Sequence, residues 1–182
     1  MQNLIQDLLA YTRATTEDED LAGAECDANR VMCEVLGNLR GEVEKAQAQI
    51  TVGPLPKVGV RHGHLAQIGE NLLSNALKYR GPSPLELHVS AMQQGSEWVF
   101  TVRDNGLGVP PEHHRRIFRV FKRLHGREIA GTGIGLAICE RIVSYYGGRI
   151  WVESEAGRGA TFRFTLPGTS RGQTPGRRVA ID

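Results

Sequence analysis

Three groups of residues in this 182-residue chain have types and spacings suited to chemistry. Asn71, Asn75 and Lys78 recur at i, i+4 and i+7 inside a helical apolar pattern, so their side chains share one helix face. Asp104 closes an alternating strand pattern and is followed by Asn105-Gly106-Leu107-Gly108, an acid at a glycine-permitted turn. Gly131-Thr132-Gly133-Ile134-Gly135-Leu136 places three glycines at alternate positions just before another helical pattern. Glycines clear the β-carbons from a backbone, and the helix after them offers unpaired N–H groups and the positive end of its dipole. Such a place accepts phosphate. Each group has an ordinary counterpart: a solvated helix face, an Asp-capped turn, a glycine turn with no ligand. Solvated helix faces favour Glu, Lys and Gln, whereas asparagine costs helix propensity, so the paired asparagines argue for a site.

The elements that must position these groups follow from periodicity. Leu65, Ile68, Leu72, Leu73 and Ala76 form the buried stripe of a helix from about Gly63 to Tyr79, stopped by Gly81-Pro82-Ser83-Pro84. Leu85, Leu87, Val89 and Ala91 alternate, as do Trp98, Phe100 and Val102, which predicts an antiparallel hairpin ending at Asp104. Pro110 and Pro111 suit the first turn of a helix through about Phe121. Lys122 to Ala130 has no periodicity and reads as a lid-like loop. Ile134, Ile138, Ile142 and Tyr145 mark a helix ended by Gly147-Gly148. Arg149 to Glu153 and the alternating Phe162, Phe164 and Leu166 form a last hairpin.

Upstream, Asp27 suits the N-cap of a helix carrying Val31, Met32, Val35, Leu36, Leu39 and Val43 to about Ala48. An edge strand and loop follow to Val60, broken by Gly53, Pro54 and Pro56. Leu4, Ile5, Leu8 and Leu9 give residues 1–15 a short amphipathic helix that needs a partner. The acidic run at residues 17–20 reads as part of a solvated linker over residues 16–24. Residues 25–167 form the main domain, and residues 168–182 are expected to be a disordered tail. The expected fold is α+β: a two-layer α/β sandwich, a mixed sheet with helices on one face, preceded by a helix stub.

Composition narrows the function. A formal net charge of +2 with 23% charged residues is too balanced for nucleic acid or an anionic membrane as main partner. Cys26, Cys33 and Cys139 contain no C-x-x-C pair, which fits a reduced, cytoplasmic setting and cysteines as apolar fillers. No run approaches the roughly 18 apolar residues of a membrane span. Any membrane attachment would lie elsewhere in a longer protein.

The ordered set Asn71-Leu-Leu-Ser-Asn75-Ala-Leu-Lys78-Tyr79, Asp104-x-Gly106-x-Gly108, Phe118-x-x-Phe121 and Gly131-x-Gly133-x-Gly135-Leu136 resembles the ATP-binding region of sensor histidine kinases. Gly157-Arg158-Gly159-Ala160-Thr161-Phe162 adds a fifth match, and Phe121-Lys-Arg-Leu-His125 with Arg149-Ile-Trp-Val-Glu-Ser resembles the phytochrome-type members. The resemblance implies the Bergerat-type ATP fold of the GHKL superfamily. It implies that Asp104 accepts from the adenine amino group and that Asn75 ligates Mg²⁺. Asn71 and Lys78 would contact the phosphates and so carry the catalysis, and Tyr79 would flank the nucleotide. Gly106, Gly108, Gly131, Thr132, Gly133, Gly135 and Leu136 would belong to the nucleotide-binding loops. Thr161 would support the adenine through a water, and Phe118 and Phe121 would anchor the hinge of the lid. The implied reaction is transfer of the ATP γ-phosphoryl group to a histidine, with a response regulator as later partner.

Relatives that hydrolyse ATP place a glutamate base where this chain has Asn71, and an amide cannot deprotonate water. Glu70 points about 100° away on the helix. Transfer to a protein acceptor is therefore favoured over hydrolysis. The family's acceptor histidine lies on the first helix of a dimerising hairpin. Residues 1–15 resemble only the second helix, which could still pair in a homodimer through residues 4–9. No histidine precedes His62, so the chain is expected to bind ATP and Mg²⁺ without phosphorylating itself. The alternatives are a non-catalytic ATP-binding module that regulates another kinase, and a serine-directed kinase of the anti-sigma kind.

Overall fold

The computed structural model describes residues 25–122 and 132–169. The expected helix and linker at residues 1–24, the loop from 123 with Gly131, and the tail from 170 lie outside those residues. Strand β1 (Cys26–Asp27) leads into helix α1 (Ala28–Asn38) and a short helix α2 (Arg40–Ala46). Strands β2 (Gln49–Val52) and β3 (Lys57–Val58) precede the long helix α3 (His62–Lys78). The hairpin β4 (Glu86–Gln94) and β5 (Glu97–Asp104) follows. A 3-10 turn at Pro111–His113, helix α4 (Gly135–Tyr145), and strands β6 (Ile150–Ser154) and β7 (Ala160–Pro167) complete the order.

Five strands form one mixed sheet in the order β2-β4-β5-β7-β6. Only β2 and β4 run parallel; the other neighbours are antiparallel. The inner face carries Leu87, Val89, Phe100, Val102, Phe162, Phe164 and Leu166, all buried. Phe100 and Phe164 are register partners, and their rings stack at 5.0 Å with 6° between planes. Against this face lie Leu65, Ile68, Leu72 and Leu73 of α3 and Ile138 and Ile142 of α4, with Val31 and Val35 of α1 beside them. The other sheet face carries Thr51, His88, Ser90, Thr101, Arg103 and Arg163, polar residues that alternate with the buried set. The two-layer arrangement with helices on one face is the expected one.

Asp27 caps α1 as expected, with Oδ1 accepting from the N–H groups of Asn29 at 2.9 Å and Arg30 at 3.4 Å. Three expectations need correction. The helix from Asp27 to Ala48 breaks at Leu39 (φ −89°, ψ 3°), just after Gly37-Asn38, two poor helix formers in sequence. The helix from Pro110 to Phe121 shrinks to the 3-10 turn and further turns. Phe121 stands at φ 62°, where a right-handed helix cannot continue. Gly168, expected to open the tail, donates its N–H to Ser96 at 3.0 Å and bridges Val58.

Helices α3 and α4 run antiparallel. At one end the Tyr146 hydroxyl accepts from the Arg61 N–H at 3.0 Å and meets Nδ1 of His64 at 2.8 Å. At the other end Asn71 lies against Gly135. Leu72, 1% exposed, lies at the centre of this layer. Leu72→Ala should lower the unfolding free energy by about 2–5 kcal/mol, read as a reduced urea midpoint at unchanged m-value.

Candidate functional site

Asp104 ends β5 with the same parity as Phe100 and Val102, so its carboxylate turns to the helical side of the sheet. Oδ1 accepts the Gly106 N–H at 2.8 Å and the Ala160 N–H at 3.3 Å. Burial raises the carboxyl pKa above 3.8, and these two backbone N–H groups offset part of that rise. Among the described residues no hydrogen-bond partner meets Oδ2.

The backbone around Asp104 is interlocked. Gly159 has φ 77°, and a β-carbon there would collide with the carbonyl oxygen of Asp104. Gly108 has φ 71°, and a β-carbon there would collide with the carbonyl of Glu155. Leu107 accepts the Gly157 N–H at 2.7 Å, so the loop after β5 and the Glu155–Gly159 turn are hydrogen-bonded to each other. Ser154 ties them again: its hydroxyl accepts from the Val109 N–H at 2.8 Å and donates to the Gly159 carbonyl at 2.6 Å. His114 Nε2 lies 3.1 Å from the Val109 carbonyl and 3.0 Å from that of Ser154.

Helix α3 is fastened to this loop at its C-terminus. The Tyr79 carbonyl accepts the Leu107 N–H at 2.9 Å and would lie 2.6 Å from a β-carbon on Gly106. Two turns earlier, Asn71 reaches the start of α4, where its Oδ1 would lie 2.8 Å from a β-carbon on Gly135. Asn75 falls between these fastenings, half-buried, and Lys78 is exposed on the same stretch. The Asn71-to-Tyr79 face is about 12 Å long at the helical rise. It joins a carboxylate at one end to a helix N-terminus at the other.

Among the described residues no side chain caps that N-terminus. Ile134 and Gly135 open α4 after Gly133, which has φ 74° and accepts the Phe121 N–H at 2.9 Å. The first N–H groups of α4 therefore have no side-chain acceptor among the described residues, the kind of helix end that suits an anion. Thr132 and Leu136, both half-buried, flank it. The expectation for the two phenylalanines divides: Phe118 is buried in the core, whereas Phe121 is 59% exposed and contributes its backbone.

Thr161 makes no hydrogen bond to Asp104, although both line one concavity. It pairs with Arg103 and Glu153 across the sheet, and its side chain joins the face away from the helices. There a concavity of about 540 Å³ is lined by His88, Thr101, Arg103, Thr161, Arg163 and Glu153, and Asp104, Ser154 and Gly159 line it as well. That hollow is not the place where the α3 amides and the α4 N-terminus converge, and we take the convergent groups as the site. Ala160, one residue earlier, supplies the contact to Asp104. The signal was present in the alternation, since inward Phe162 and Phe164 put Ala160 inward and Thr161 outward. Ser154 and His114 carried no such signal, because their partners are carbonyls of other loops.

The pattern that defines the family described as histidine kinase-, DNA gyrase B-, and HSP90-like ATPase matches residues 61–170. The chain is 44% identical to cyanobacterial phytochrome A of Nostoc sp., over 98% of this chain and 24% of that protein. It is 40% identical to the phytochrome-like protein Cph1 of Synechocystis sp., over 92% of this chain and 22% of that protein. It thus spans about a quarter of the length of these relatives. Among solved structures, full-length ShkA in complex with AMPPNP superposes with a TM-score of 0.76 at 31% identity, covering 92% of this chain and 36% of that one. The mycobacterial sensor histidine kinase MprB superposes with a TM-score of 0.69 at 26% identity, covering 80% of this chain and 97% of that one.

The raised Asp104 pKa has a stability consequence. As pH rises past 3.8 the unfolded chain releases this proton first, so the native state loses stability until its own carboxyl ionises, and the full penalty persists at higher pH. Asp104→Asn should therefore melt above the wild type at pH 7, with the gap closing as pH falls toward 3.8 in paired thermal scans.

Proposed function

The chain belongs to the histidine kinase-, DNA gyrase B- and HSP90-like ATPase family, and from that premise we propose that it is the ATP-binding kinase region of a sensor histidine kinase. The observation that carries this reading is the α3 face that joins a half-buried carboxylate to an uncapped helix N-terminus. A carboxylate is an acceptor only. It suits the N6 amino group of adenine and repels the O6 acceptor of guanine. The α4 N-terminus suits phosphate. The span between them matches a nucleoside triphosphate laid along α3.

Asp104 then fixes the base, with Gly106 and Gly108 shaping the loop that holds it. Tyr79 flanks the nucleotide. Lys78 and Asn71 sit toward the phosphates, and Thr132, Gly133, Gly135 and Leu136 form their backbone cradle; Gly131, which belongs to the same motif, lies outside the described residues. The Asn75 side-chain oxygen suits Mg²⁺, a hard cation that takes oxygen ligands. Among the described residues no group of three acids or histidines could hold a metal by itself. The cation would accordingly arrive with the phosphates, and when bound it would neutralise their charge. The chain's own residues bind and orient the nucleotide, while the acceptor helix supplies the nucleophile.

The likeness to ShkA in complex with AMPPNP supports ATP as substrate, and the likeness to the sensor histidine kinase MprB supports a histidine as acceptor; a response regulator is the downstream partner this reading implies. Asn71 in place of a base favours phosphoryl transfer over hydrolysis. No helix among the described residues is long and apolar enough to cross a membrane, and we place this region in the cytoplasm.

Incubation with labelled ATP, Mg²⁺ and a separate acceptor-helix protein should yield acid-labile phosphate on the helix and none on this chain. Acid-stable phosphate, or nucleotide binding without transfer, would count against the kinase reading. In calorimetric titrations Asp104→Asn should weaken ATP by roughly 1–3 kcal/mol, as for a hydrogen bond to a charged group. Asn75→Ala should remove the tightening of ATP by Mg²⁺ while leaving metal-free binding in place.

A further inference from the structure

The peptide that enters β7, between Gly159 and Ala160, is hydrogen-bonded at both ends to side chains of other strands. Its carbonyl accepts from the Ser154 hydroxyl at 2.6 Å, and its N–H donates to Asp104 Oδ1 at 3.3 Å. Chemistry fixes each direction, because a carbonyl only accepts and an N–H only donates. The Ser154 oxygen also accepts from the Val109 N–H at 2.8 Å, which leaves its single hydrogen for the Gly159 carbonyl. Ser154 is the register partner of Ala160, and the two share the parity of Val152 and Phe162, which are buried on the helical side.

A trans peptide is planar, so its C=O and N–H point to opposite sides. Holding the oxygen therefore aims the hydrogen. The chain itself does not guarantee that aim, because Gly159, at φ 77°, lacks the β-carbon that would limit rotation of this peptide. Turned over, the same peptide would set the Gly159 carbonyl oxygen against the Asp104 carboxylate, two acceptors with no hydrogen between them. Ser154 opposes that turn with the shortest of these bonds. Hydrogen bonds at the two ends of one peptide also polarise it in the same sense, so each strengthens the other.

We propose that Ser154 is a positioning residue for Asp104: its hydroxyl fixes the Gly159–Ala160 peptide so that the N–H faces the carboxylate and the carbonyl faces away. Ser154 acts through the peptide and not on the ligand. Its second bond, to Val109, ties the same hydroxyl to the loop that also supplies the Gly106 N–H, so one serine coordinates both segments that meet the carboxylate. The proposal rests on the nucleotide reading for its effect on ATP, and on hydrogen-bond geometry alone for its effect on the carboxylate.

The test uses this chain with S154A, which removes the hydroxyl, and S154T, which keeps it. Two nucleotides are titrated with Mg²⁺ by calorimetry: ATP, and the purine riboside triphosphate that lacks only the 6-amino group. S154A should weaken ATP about five-fold and leave the deamino analogue within about two-fold of its wild-type affinity, the scale of one hydrogen bond that only ATP uses. S154T should bind both as the wild type does. Equal weakening of both nucleotides by S154A, as a generally loosened fold would give, would overturn the proposal, and so would S154T behaving like S154A. A second readout needs no nucleotide: the Asp104 carboxyl carbon resonance, assigned by its loss in Asp104→Asn and followed through a pH titration. Its midpoint should lie about one pH unit higher in S154A than in the wild type and S154T, since a donor to the charged form is lost. An unchanged midpoint would overturn the geometry. Should S154A not fold, S154C, close in size and a weaker donor, takes its place with the same directions expected. If the wild type bound both nucleotides equally while the midpoint shift held, the adenine reading of Asp104 would fail and its positioning by Ser154 would stand.

Discussion

The structure depends on keeping one carboxylate half out of water at the end of a strand. Removing Asp104 from solvent is unfavourable, and its raised pKa records that cost. Two backbone N–H groups, from Gly106 and Ala160, meet one oxygen; the other is the one that the proposed nucleotide would meet. To deliver those N–H groups, two turns from distant parts of the chain must close on the same strand end. The approaches are too tight for β-carbons, so glycine occupies positions 106, 108 and 159. Ser154 and His114 then satisfy carbonyl and amide groups that this crowding strands. A single desolvated charge thus dictates several residues that never touch it.

Helix α3 converts that local arrangement into a site with length and direction. It is pinned at both ends by groups other than its apolar stripe. Tyr79 bonds to the Asp104 loop, and Tyr146 from the end of α4 satisfies the part-buried N–H of Arg61. Asn71 takes up the contact with the start of α4. The stripe of Leu65, Ile68, Leu72 and Leu73 fixes how α3 sits on the sheet. The polar fastenings fix its position along its own axis, which apolar packing specifies weakly. The spacing between carboxylate and helix N-terminus follows from them.

Most of the architecture was legible because burial on one side imposes a period. The alternation of Phe100 and Val102, and of Phe162, Phe164 and Leu166, placed two strands and their inward faces. The i, i+3, i+4 spacing placed α3 and α4. Apolar periodicity failed where it was shared by turns: Ile117 and Phe118 are buried without a helix around them, since Phe121 adopts a left-handed backbone. It failed again at Leu39, where the apolar stripe continues across a break made by Gly37-Asn38. Thr161 was assigned to the base side by its motif, although the strand parity of its neighbours put it on the other face.

The sequence by itself determined which residues could serve: acceptor-only chemistry at Asp104, paired amides on one face of α3, and glycines before α4, together with the family that orders them. Those are properties of residue type and short-range spacing, and both survive in a linear string. Only the tertiary structure decided which of them meet. It chose Ala160 over Thr161 for Asp104, set Asn71 against Gly135, and joined the turn at Glu155–Gly159 to the loop at Gly106–Val109. Such contacts depend on helix register and on backbone approach between segments tens of residues apart, quantities that local periodicity does not encode.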